Sequence, residues 1–338
     1  MTQPLLELPK ARFKPCMNSF LGALAGVLIA LDDEFDMDEL WGLSAWGLRT
    51  HIHRTLEPVG LLGGEWDRTC ATVVRRVGYD CVAGLRNHFY SGKDLRELQF
   101  VWMANVERAL GDGRPAICFG LHGPAFGIIN GLDTDLEEYR VSTFLDGRKD
   151  GPINVQDVGS QSPPLIFFLI PTGPLAGYDQ DHAAREALKD ALDHHLGRER
   201  DAEGKARAVP ADLAEGIAAY NAWSAALETG QVHPYWAIGY YAGYYAEARS
   251  AAATWLRRLA GRDIFAAQRP WLNRTALHLE HEVESFGKLA ELFPLREPQT
   301  LEQPARRTEA SACLRAARAE HIAGMEELAE AFIHLYNE

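Results

Sequence analysis

The stretch Phe13-Lys14-Pro15-Cys16-Met17-Asn18-Ser19-Phe20 leads directly into an apolar segment at residues 21–31. Proline is favoured in the first turn of a helix, where its missing N–H would have no partner. Pro15 therefore predicts a helix start that places Cys16 in the first turn, ahead of a buried helical segment at 18–30. Unpaired backbone N–H groups and the positive end of the helix dipole favour a thiolate there, so Cys16 is a candidate nucleophile. The pattern also fits a small, buried, unreactive cysteine.

The composition indicates an ordinary soluble globular protein. The chain has 338 residues, of which 47% are hydrophobic and 24% charged, enough for one large domain or two ordinary ones. The formal net charge of −13 argues against phosphate-rich partners, so we predict neither nucleic-acid binding nor docking on an anionic membrane. The start of the chain lacks the apolar core of a signal peptide, and the apolar run at 20–31 is too short to span a bilayer.

The cysteine and glycine patterns argue against several common kinds of site. The five cysteines are odd in number, widely spaced and without a Cys-x-x-Cys pair. This pattern predicts neither a disulfide framework nor a zinc knuckle, and it favours a reducing, cytoplasmic location. The sequence has no glycine-rich phosphate loop and no nucleophile turn around a serine, and we predict no cofactor.

The period of the apolar residues changes twice along the chain. Helical patterns at 66–77 and 95–110 come first. Short apolar runs bounded by turn residues then predict four strands, at 114–121, 126–132, 139–145 and 165–170. After Pro171 the pattern is helical again, at 182–196, 210–228, 235–260, 276–292 and 305–336.

Helices followed by an antiparallel sheet and then by further helices predict the α+β class. We place the sheet in an N-terminal domain at 1–171 and the later helices in a domain at 172–338. The pattern also allows the helical half to pack onto the same sheet without forming a separate domain.

Four segments of the chain resemble one known family. They are Pro15-Cys16-Met17-Asn18-Ser19-Phe20, Glu39-Leu40-Trp41-Gly42-Leu43-Ser44, Arg114-Pro115-Ala116-Ile117 and Phe126-Gly127-Ile128-Ile129-Asn130-Gly131-Leu132-Asp133. They resemble the N-terminal region of butirosin biosynthesis protein H and its relatives, which are similar to the double-glycine leader peptidases and other papain-like cysteine enzymes. The resemblance implies a papain-like fold for residues 1–171 and the transfer of an acyl group from a carrier-protein thioester to an amine. The helical half resembles uncharacterised bacterial proteins and gains no function from the comparison.

The resemblance also implies where the catalytic groups should lie, and the chain departs from that pattern. The family histidine falls six residues before Gly131, where this chain has Ala125. The carboxylate or amide that orients the histidine would fall near Ser142. The glutamine six residues before the nucleophile is here Lys10.

We predict that His122 and Asp146 replace the missing base and its orienting acid. A hairpin centred near Thr134 would make them cross-strand neighbours. A bulge at Gly123-Pro124 would return His122 to the face required for catalysis. Otherwise, His122 is a strand-end histidine bonded to backbone or solvent.

The predicted activity is acyl transfer or hydrolysis through the Cys16 thiolate. Its substrate would be a thioester or amide of a small molecule or peptide, and the resemblance suggests an acyl carrier protein as partner. The oxyanion would bind the backbone N–H of Cys16 with help from Asn18 or Lys10. The alternative, favoured by Ala125, is an inactive protein of the same fold that binds a small molecule or peptide in the cleft between the two halves.

The segment Gly239-Tyr240-Tyr241-Ala242-Gly243-Tyr244-Tyr245 is the most unusual part of the helical half. Its two glycines allow another helix to approach, which predicts a packed helix or a contact in a homodimer. Tyr240, Tyr241 and Tyr244 are also candidates for the lining of a ligand pocket.

Two groups of histidines lack the spacing of established metal motifs. His51 and His53 share a face of an extended segment, and His278, His281 and Glu282 share a face of a helix. The helical group is neither a zinc-protease motif nor one half of a supported two-metal centre. We predict a solvated loop and a polar helix face, with no metal at either.

Overall fold

The computed structural model describes residues 6–33, 35–57, 66–87, 92–148, 151–160, 165–200, 204–230, 232, 236–295, 297 and 302–336. The chain divides into two compact units. Unit 1 comprises Met1–Leu40 and Trp66–Gln180, and unit 2 comprises Trp41–Glu65 and Asp181–Glu338.

The secondary structure is mixed. In chain order, the strands are β1 (Leu6–Glu7), β2 (His51–His53), β3 (Tyr79–Asn87), β4 (Ala116–Phe119), β5 (Phe126–Asp133), β6 (Glu138–Ser142), β7 (Ile153–Asn154), β8 (Leu165–Pro174) and β9 (Leu213–Glu215). The α-helices are α1 (Ser19–Ala30), α2 (Met37–Leu43), α3 (Trp66–Arg76), α4 (Gly92–Gly111), α5 (Gln180–His195), α6 (Ile217–Thr229), α7 (Ala237–Ala260), α8 (Arg269–Leu292) and α9 (Pro304–Tyr336).

Unit 1 contains a seven-stranded sheet. Six of its strands follow the order β3-β8-β4-β5-β6-β7, and the seventh, β1, pairs with Gly131 and Leu132 of β5, beyond the part of β5 that pairs with β4. All of its strand pairs are antiparallel. Neighbouring residues of β8 point to opposite faces, and both faces are covered. On one face, Trp102 of α4 stacks on Phe168 with ring centroids 4.9 Å apart. On the other, Phe126 makes edge contacts with Phe20 of α1 and with Phe167, each at 5.3 Å.

Helix α1 begins later than Pro15 predicts. The side-chain oxygen of Asn18 accepts hydrogen bonds from the backbone N–H groups of Phe20 and Leu21, at 3.0 and 3.1 Å. Asn18 is therefore the N-cap, which satisfies two of the N–H groups that lack a partner inside the helix. The prediction that Cys16 lies in the first turn was wrong, because Cys16 lies before the cap.

Unit 2 is predominantly helical, with β2 and β9 paired as a short antiparallel ribbon. Helices α7, α8 and α9 form its C-terminal part. Aromatic rings fill much of the core, and Trp223 stacks on Phe286 at 5.8 Å. Trp255 of α7 packs so closely on Gly42 that a side chain at position 42 would collide with the indole ring.

The α+β prediction, with a helical C-terminal part, is confirmed by these elements. The four predicted strands correspond to β4, β5, β6 and β8, although β3 was missed and the predicted helix at 210–228 begins with β9. Unit 1 extends to Gln180, and it includes all of β8 and Leu175, whose N–H donates to the carbonyl of Gly78 at 2.7 Å. Among the described residues, no helix has both the length and the apolar character that crossing a membrane requires.

Candidate functional site

Cys16 lies before α1, and two hydrogen bonds hold the residues that precede it. Its side chain is partly exposed. The backbone N–H of Phe13 donates to Ser142 Oγ at the end of β6, at 2.8 Å. The next residue, Lys14, donates to the carbonyl of Gly22 in α1, at 3.1 Å. These bonds hold the chain just before Cys16 against both the sheet and the first helix.

The elements that carry the predicted catalytic residues meet at one end of the sheet. His122 lies in the turn between β4 and β5, where Phe119 pairs with Phe126. Asp146 lies in the turn after β6, whose last residue, Ser142, is opposite Ile128 near the start of β5. The start of α1 lies at the same end, since the Phe126 N–H donates to Ser19 Oγ at 3.1 Å.

The predicted cross-strand pairing of His122 with Asp146 was wrong. The β5–β6 pairing matches Ile128 with Ser142 and Ile129 with Val141, and the two candidate residues lie in turns beyond the ends of the strands. The irregularity in the ladder also falls between Ile129 and Gly131, not at Gly123-Pro124.

Asp146 holds the turn that follows β6. One carboxylate oxygen accepts a hydrogen bond from Ser142 Oγ, and the other accepts from the Thr143 N–H at 2.8 Å. Because Ser142 Oγ also accepts from Phe13 N–H, this carboxylate indirectly anchors the segment that leads to Cys16. These contacts give Asp146 a structural role that the sequence did not suggest.

A backbone carbonyl contacts His122 where an acid was predicted. The Nε2 atom of His122 lies 3.3 Å from the carbonyl oxygen of Gly151. A carbonyl oxygen only accepts hydrogen bonds, so Nε2 carries the proton in this contact. In a neutral imidazole with its proton on Nε2, Nδ1 is the nitrogen that can accept a proton. The side chain is partly exposed.

Ala125, which occupies the family histidine position, lies in the same turn as His122. Its backbone N–H donates to the Gly123 carbonyl at 2.8 Å, and its own carbonyl accepts from the Gly120 N–H at 3.0 Å. Ala125 therefore helps to close the turn, and its methyl group offers no proton-transfer chemistry.

The two predicted oxyanion donors have local partners. Asn18 uses its side-chain oxygen to cap α1, and an amide also carries an NH₂ donor. Lys10 forms an exposed ion pair with Asp32, with Nζ and Oδ1 2.8 Å apart. The hydrogen bond and charge of Asp32 raise the pKa of Lys10, so the ammonium stays protonated. Such an exposed pair contributes little to stability.

The other four thiols are disfavoured as nucleophiles. Burial raises the pKa of Cys70 and Cys118 well above the usual value. Burial raises the pKa of Cys81 to about 11, and it also raises the pKa of Cys313. A thiolate is the reactive form of cysteine, and a raised pKa depletes it at neutral pH.

The tyrosine-rich segment of α7 holds the β2 strand inside unit 2. Tyr245 donates to the carbonyl of His51 at 2.6 Å and accepts from the N–H of the same residue at 2.8 Å. Tyr241 donates to the carbonyl of Glu57 at 2.6 Å. Tyr244 is buried and packs edge-on against Trp41 at 5.2 Å, while Tyr240 packs edge-on against Trp236 at 5.7 Å. These contacts support packing within unit 2.

His51 belongs to a buried cluster that the sequence pattern did not reveal. His51, His194 and Glu215 have ligand atoms within 4.8 Å of one another. However, His194 already uses both ring nitrogens, Nδ1 with Glu199 at 3.1 Å and Nε2 with the Thr50 carbonyl at 3.0 Å.

Two arginine side chains form ion pairs with the carboxylates of this cluster. Arg207 forms ion pairs with both Glu199 and Glu215, and Arg49 forms one with Glu199. The carboxylates are thus neutralised by arginine. Burial, followed by the nearby His194, lowers the pKa of His51 to about 3. The arrangement fits a closed ion-pair network better than a cation site.

A second buried network joins α6, α7, α8 and α9. Arg249 and Glu282 have no exposed side-chain surface, and Nε of the arginine lies 3.0 Å from the carboxylate. Tyr220 donates to the same carboxylate at 2.6 Å, and His321 contacts its other oxygen at 3.2 Å. Burial alone would raise the pKa of Glu282, but Arg249 and His321 lower it overall. The partners of Glu282 lie too far along the chain for a local pattern to reveal the network.

In comparisons with known proteins, no family model matches the chain and no curated protein is similar to it.

Proposed function

We propose that unit 1 is a cysteine-dependent acyltransferase or hydrolase, with Cys16 as the nucleophile and His122 as the base. The hydrogen bond from His122 Nε2 to the Gly151 carbonyl carries the proposal, because it favours the tautomer in which Nδ1 is the basic ring nitrogen. The position of the β4–β5 turn at the sheet end where α1 begins further supports it. The carbonyl of Gly151 then takes the orienting role that a carboxylate has in other triads.

The proposed reaction has two stages. His122 Nδ1 takes the proton of Cys16, and the thiolate attacks the carbonyl carbon of a thioester or amide. The leaving thiol or amine receives the proton from the imidazolium as the acyl-enzyme forms. Water or an amine then attacks the acyl carbon and gives its proton to His122, and the bond to Cys16 breaks to release the thiolate, which recovers its proton from the imidazolium. Backbone N–H of Cys16 and the amide of Asn18 are the proposed oxyanion donors.

The substrate class follows from the resemblance and remains part of the proposal. A small-molecule or peptide acyl group, delivered by a carrier-protein thioester, is the donor that the family implies. A partly exposed thiol is compatible with access by a large donor.

Binding without turnover is the second candidate function. Ala125 at the family histidine position favours it, as does the structural use of Asp146 by Ser142 and Thr143. In that case unit 1 would hold a small molecule or peptide, and Cys16 would behave as an ordinary thiol.

Site-resolved alkylation separates the two functions. The intact protein is treated with iodoacetamide at about pH 6, where an ordinary thiol reacts slowly. We expect Cys16 to be labelled faster than Cys81 and Cys313, and His122→Ala to slow that labelling by about tenfold. His182→Ala is the matched control and should leave the rate unchanged. Equal labelling of Cys16 and Cys313, unaffected by His122→Ala, would exclude an activated nucleophile.

Incubation with a small acyl thioester then tests turnover directly. An enzyme of this type accumulates an acyl group on Cys16, which intact-mass and peptide mapping detect, and releases it when an amine is added. A protein that only binds the thioester shows no covalent adduct.

A further inference from the structure

Two histidines and a glutamate meet on the surface of the α8–α9 pair. His278 and His281 are three residues apart on α8, and so share one face of the helix. Both histidines contact the same carboxylate oxygen of Glu320 in α9. This oxygen lies 2.7 Å from Nδ1 of His278 and 3.2 Å from Nδ1 of His281. The three side chains are 26%, 45% and 32% exposed for His278, His281 and Glu320.

Glu282, which the sequence places beside these histidines, does not belong to this group. Its carboxylate is fully buried and pairs with Arg249 and His321. The carboxylate that joins the histidines comes instead from a different helix, 42 residues after His278. No spacing within α8 could have revealed it.

We propose that His278, His281 and Glu320 form a binding site for a divalent transition-metal cation, for which Zn²⁺ is the probe. Imidazole nitrogens and a carboxylate oxygen are ligands that zinc prefers, and a water molecule would complete a tetrahedron. All three side chains are partly exposed to solvent, as a water ligand requires.

The geometry requires only small movements. Zinc bonds to nitrogen and oxygen of about 2.0–2.1 Å place tetrahedral ligand atoms roughly 3.3 Å apart. Here the nitrogen–oxygen distances are 2.7 and 3.2 Å, and all three ligand atoms lie within 4.8 Å of one another. Each imidazole would exchange a proton shared with Glu320 for a bond to the metal. The helices themselves need not move.

The two histidines are the partners of the Glu320 carboxylate. Two arginines pair with other carboxylates, Arg257 of α7 with Glu280 and Arg274 of α8 with Glu327. This distinguishes the site from the His51 cluster, where arginines already neutralise the carboxylates.

Calorimetric titration of the full chain with Zn²⁺ tests the proposal, using Cys16→Ser as the background so that this thiol does not bind metal. We expect one saturable site per chain. His278→Ala and His281→Ala should each weaken zinc binding by more than about tenfold, and Glu320→Gln should weaken it by a smaller factor. Glu280→Gln on the same helix and His182→Ala on another are the matched controls, and both should bind zinc as the background does.

Thermal unfolding provides a second readout that does not depend on activity. Zinc should raise the melting temperature of the background protein and of both controls, because a ligand that binds only the folded state stabilises it. The three site variants should lose this shift while melting normally without metal. Zinc binding that persists in His278→Ala, or no saturable binding at millimolar zinc, would overturn the proposal.

Discussion

Arg249 shows how strongly a single buried charge can depend on its partners. Its guanidinium donates to the carbonyl of Gly47 at 2.6 Å and to the hydroxyl of Thr50, in addition to the carboxylate of Glu282. One side chain therefore connects the segment before β2 to α7 and α8. A buried ion pair of this kind is costly to break, because the remaining partner stays charged and desolvated.

Replacement of Arg249 should destabilise the protein severely. We expect Arg249→Met to lower the free energy of unfolding by about 3–5 kcal/mol, because Glu282 would be left buried without its cation. Arg257→Met is the matched control on the same helix. Arg257 pairs with Glu280 at a site where both side chains are more than 40% exposed, 45% and 44%, and its loss should cost less than about 1 kcal/mol. Urea unfolding of both variants measures the difference, and similar losses would contradict the assignment.

Asp146 offers a residue-scale test of structure against catalysis. Asp146→Ala removes the acceptor of Ser142 Oγ and of the Thr143 N–H, and should cost about 1–3 kcal/mol of unfolding free energy. If the Gly151 carbonyl orients His122, the rate of Cys16 alkylation should change little in this variant. A large fall in the rate of Cys16 alkylation at normal stability would instead indicate that Asp146 takes part in activating Cys16.

The buried His51 should make stability sensitive to mild acid. Its folded-state pKa is lowered to about 3, whereas an unfolded histidine titrates near 6.5, so the unfolded state binds the proton first as the pH falls. The contribution of His51 to the free energy of unfolding is therefore fully present above about pH 6.5. Below that pH it falls by about 1.4 kcal/mol per pH unit. Urea unfolding at about pH 7, above this window, and at about pH 6 and about pH 5, within it, measures the slope.

His51→Gln is the control for this pH dependence and should flatten the slope over the same window. The carboxylate of Glu215 affects stability at lower pH. Burial tends to raise its pKa, but the hydrogen bond to His51 and nearby positive charges lower it to about 2. Its contribution is present above about pH 4.5 and is lost below it. A stability that stays constant between pH 7 and 5 would contradict the assignment of His51.

At the scale of elements, α7 acts as the support of the β2 strand. The hydroxyl of Tyr245 makes two hydrogen bonds to the backbone of His51, one as donor and one as acceptor. Tyr245→Phe should lower the free energy of unfolding by about 1–3 kcal/mol, because both backbone groups are buried.

Tyr139→Phe is the contrasting control for the loss of a tyrosine hydroxyl. The Tyr139 hydroxyl is buried and has no hydrogen-bond partner in the part of the chain that the structure describes. Its removal should be neutral or slightly stabilising, since no bond is lost and a desolvated polar atom disappears. Equal destabilisation in the two variants would show that ring packing, and not the hydroxyl of Tyr245, supports β2.

The sequence predicts elements with strong local signals and misses contacts that depend on distant residues. Turn residues around β5 delimit it within one residue, at 126–133 against a prediction of 126–132. The start of α1 was placed too early because Pro15 outweighed the capping signal of Asn18. His122 and its turn could be proposed from sequence, but its partner Gly151 could not, because the pairing depends on how two turns fold.

At the scale of the whole molecule, the two units interleave along the chain. Unit 2 includes Trp41–Glu65, which lies in sequence between two parts of unit 1. Within this segment, the β2 residues His51, Ile52 and His53 pair with β9. The carbonyl of Thr50 accepts a hydrogen bond from the N–H of Gly216 at 2.9 Å.

A fragment that begins at residue 181 should therefore fold poorly. It would lack the strand that pairs with β9 and the acceptors of Arg249, so we expect a broad, weakly cooperative thermal transition. A synthetic peptide spanning 41–57 should bind the fragment and sharpen that transition. A peptide of the same composition in scrambled order is the control, and a sharp transition in the fragment alone would contradict the dependence on this segment.

This interleaving has a consequence for synthesis on the ribosome. His51 and its strand partner Glu215 are separated by 164 residues. At about 5–20 residues per second, translation leaves the histidine-bearing strand without its partner for roughly 8–30 s. During that interval the nascent chain exposes an unpaired strand edge to chaperones and proteases. The late arrival of β9 therefore sets the earliest time at which the ribbon of β2 and β9 can form.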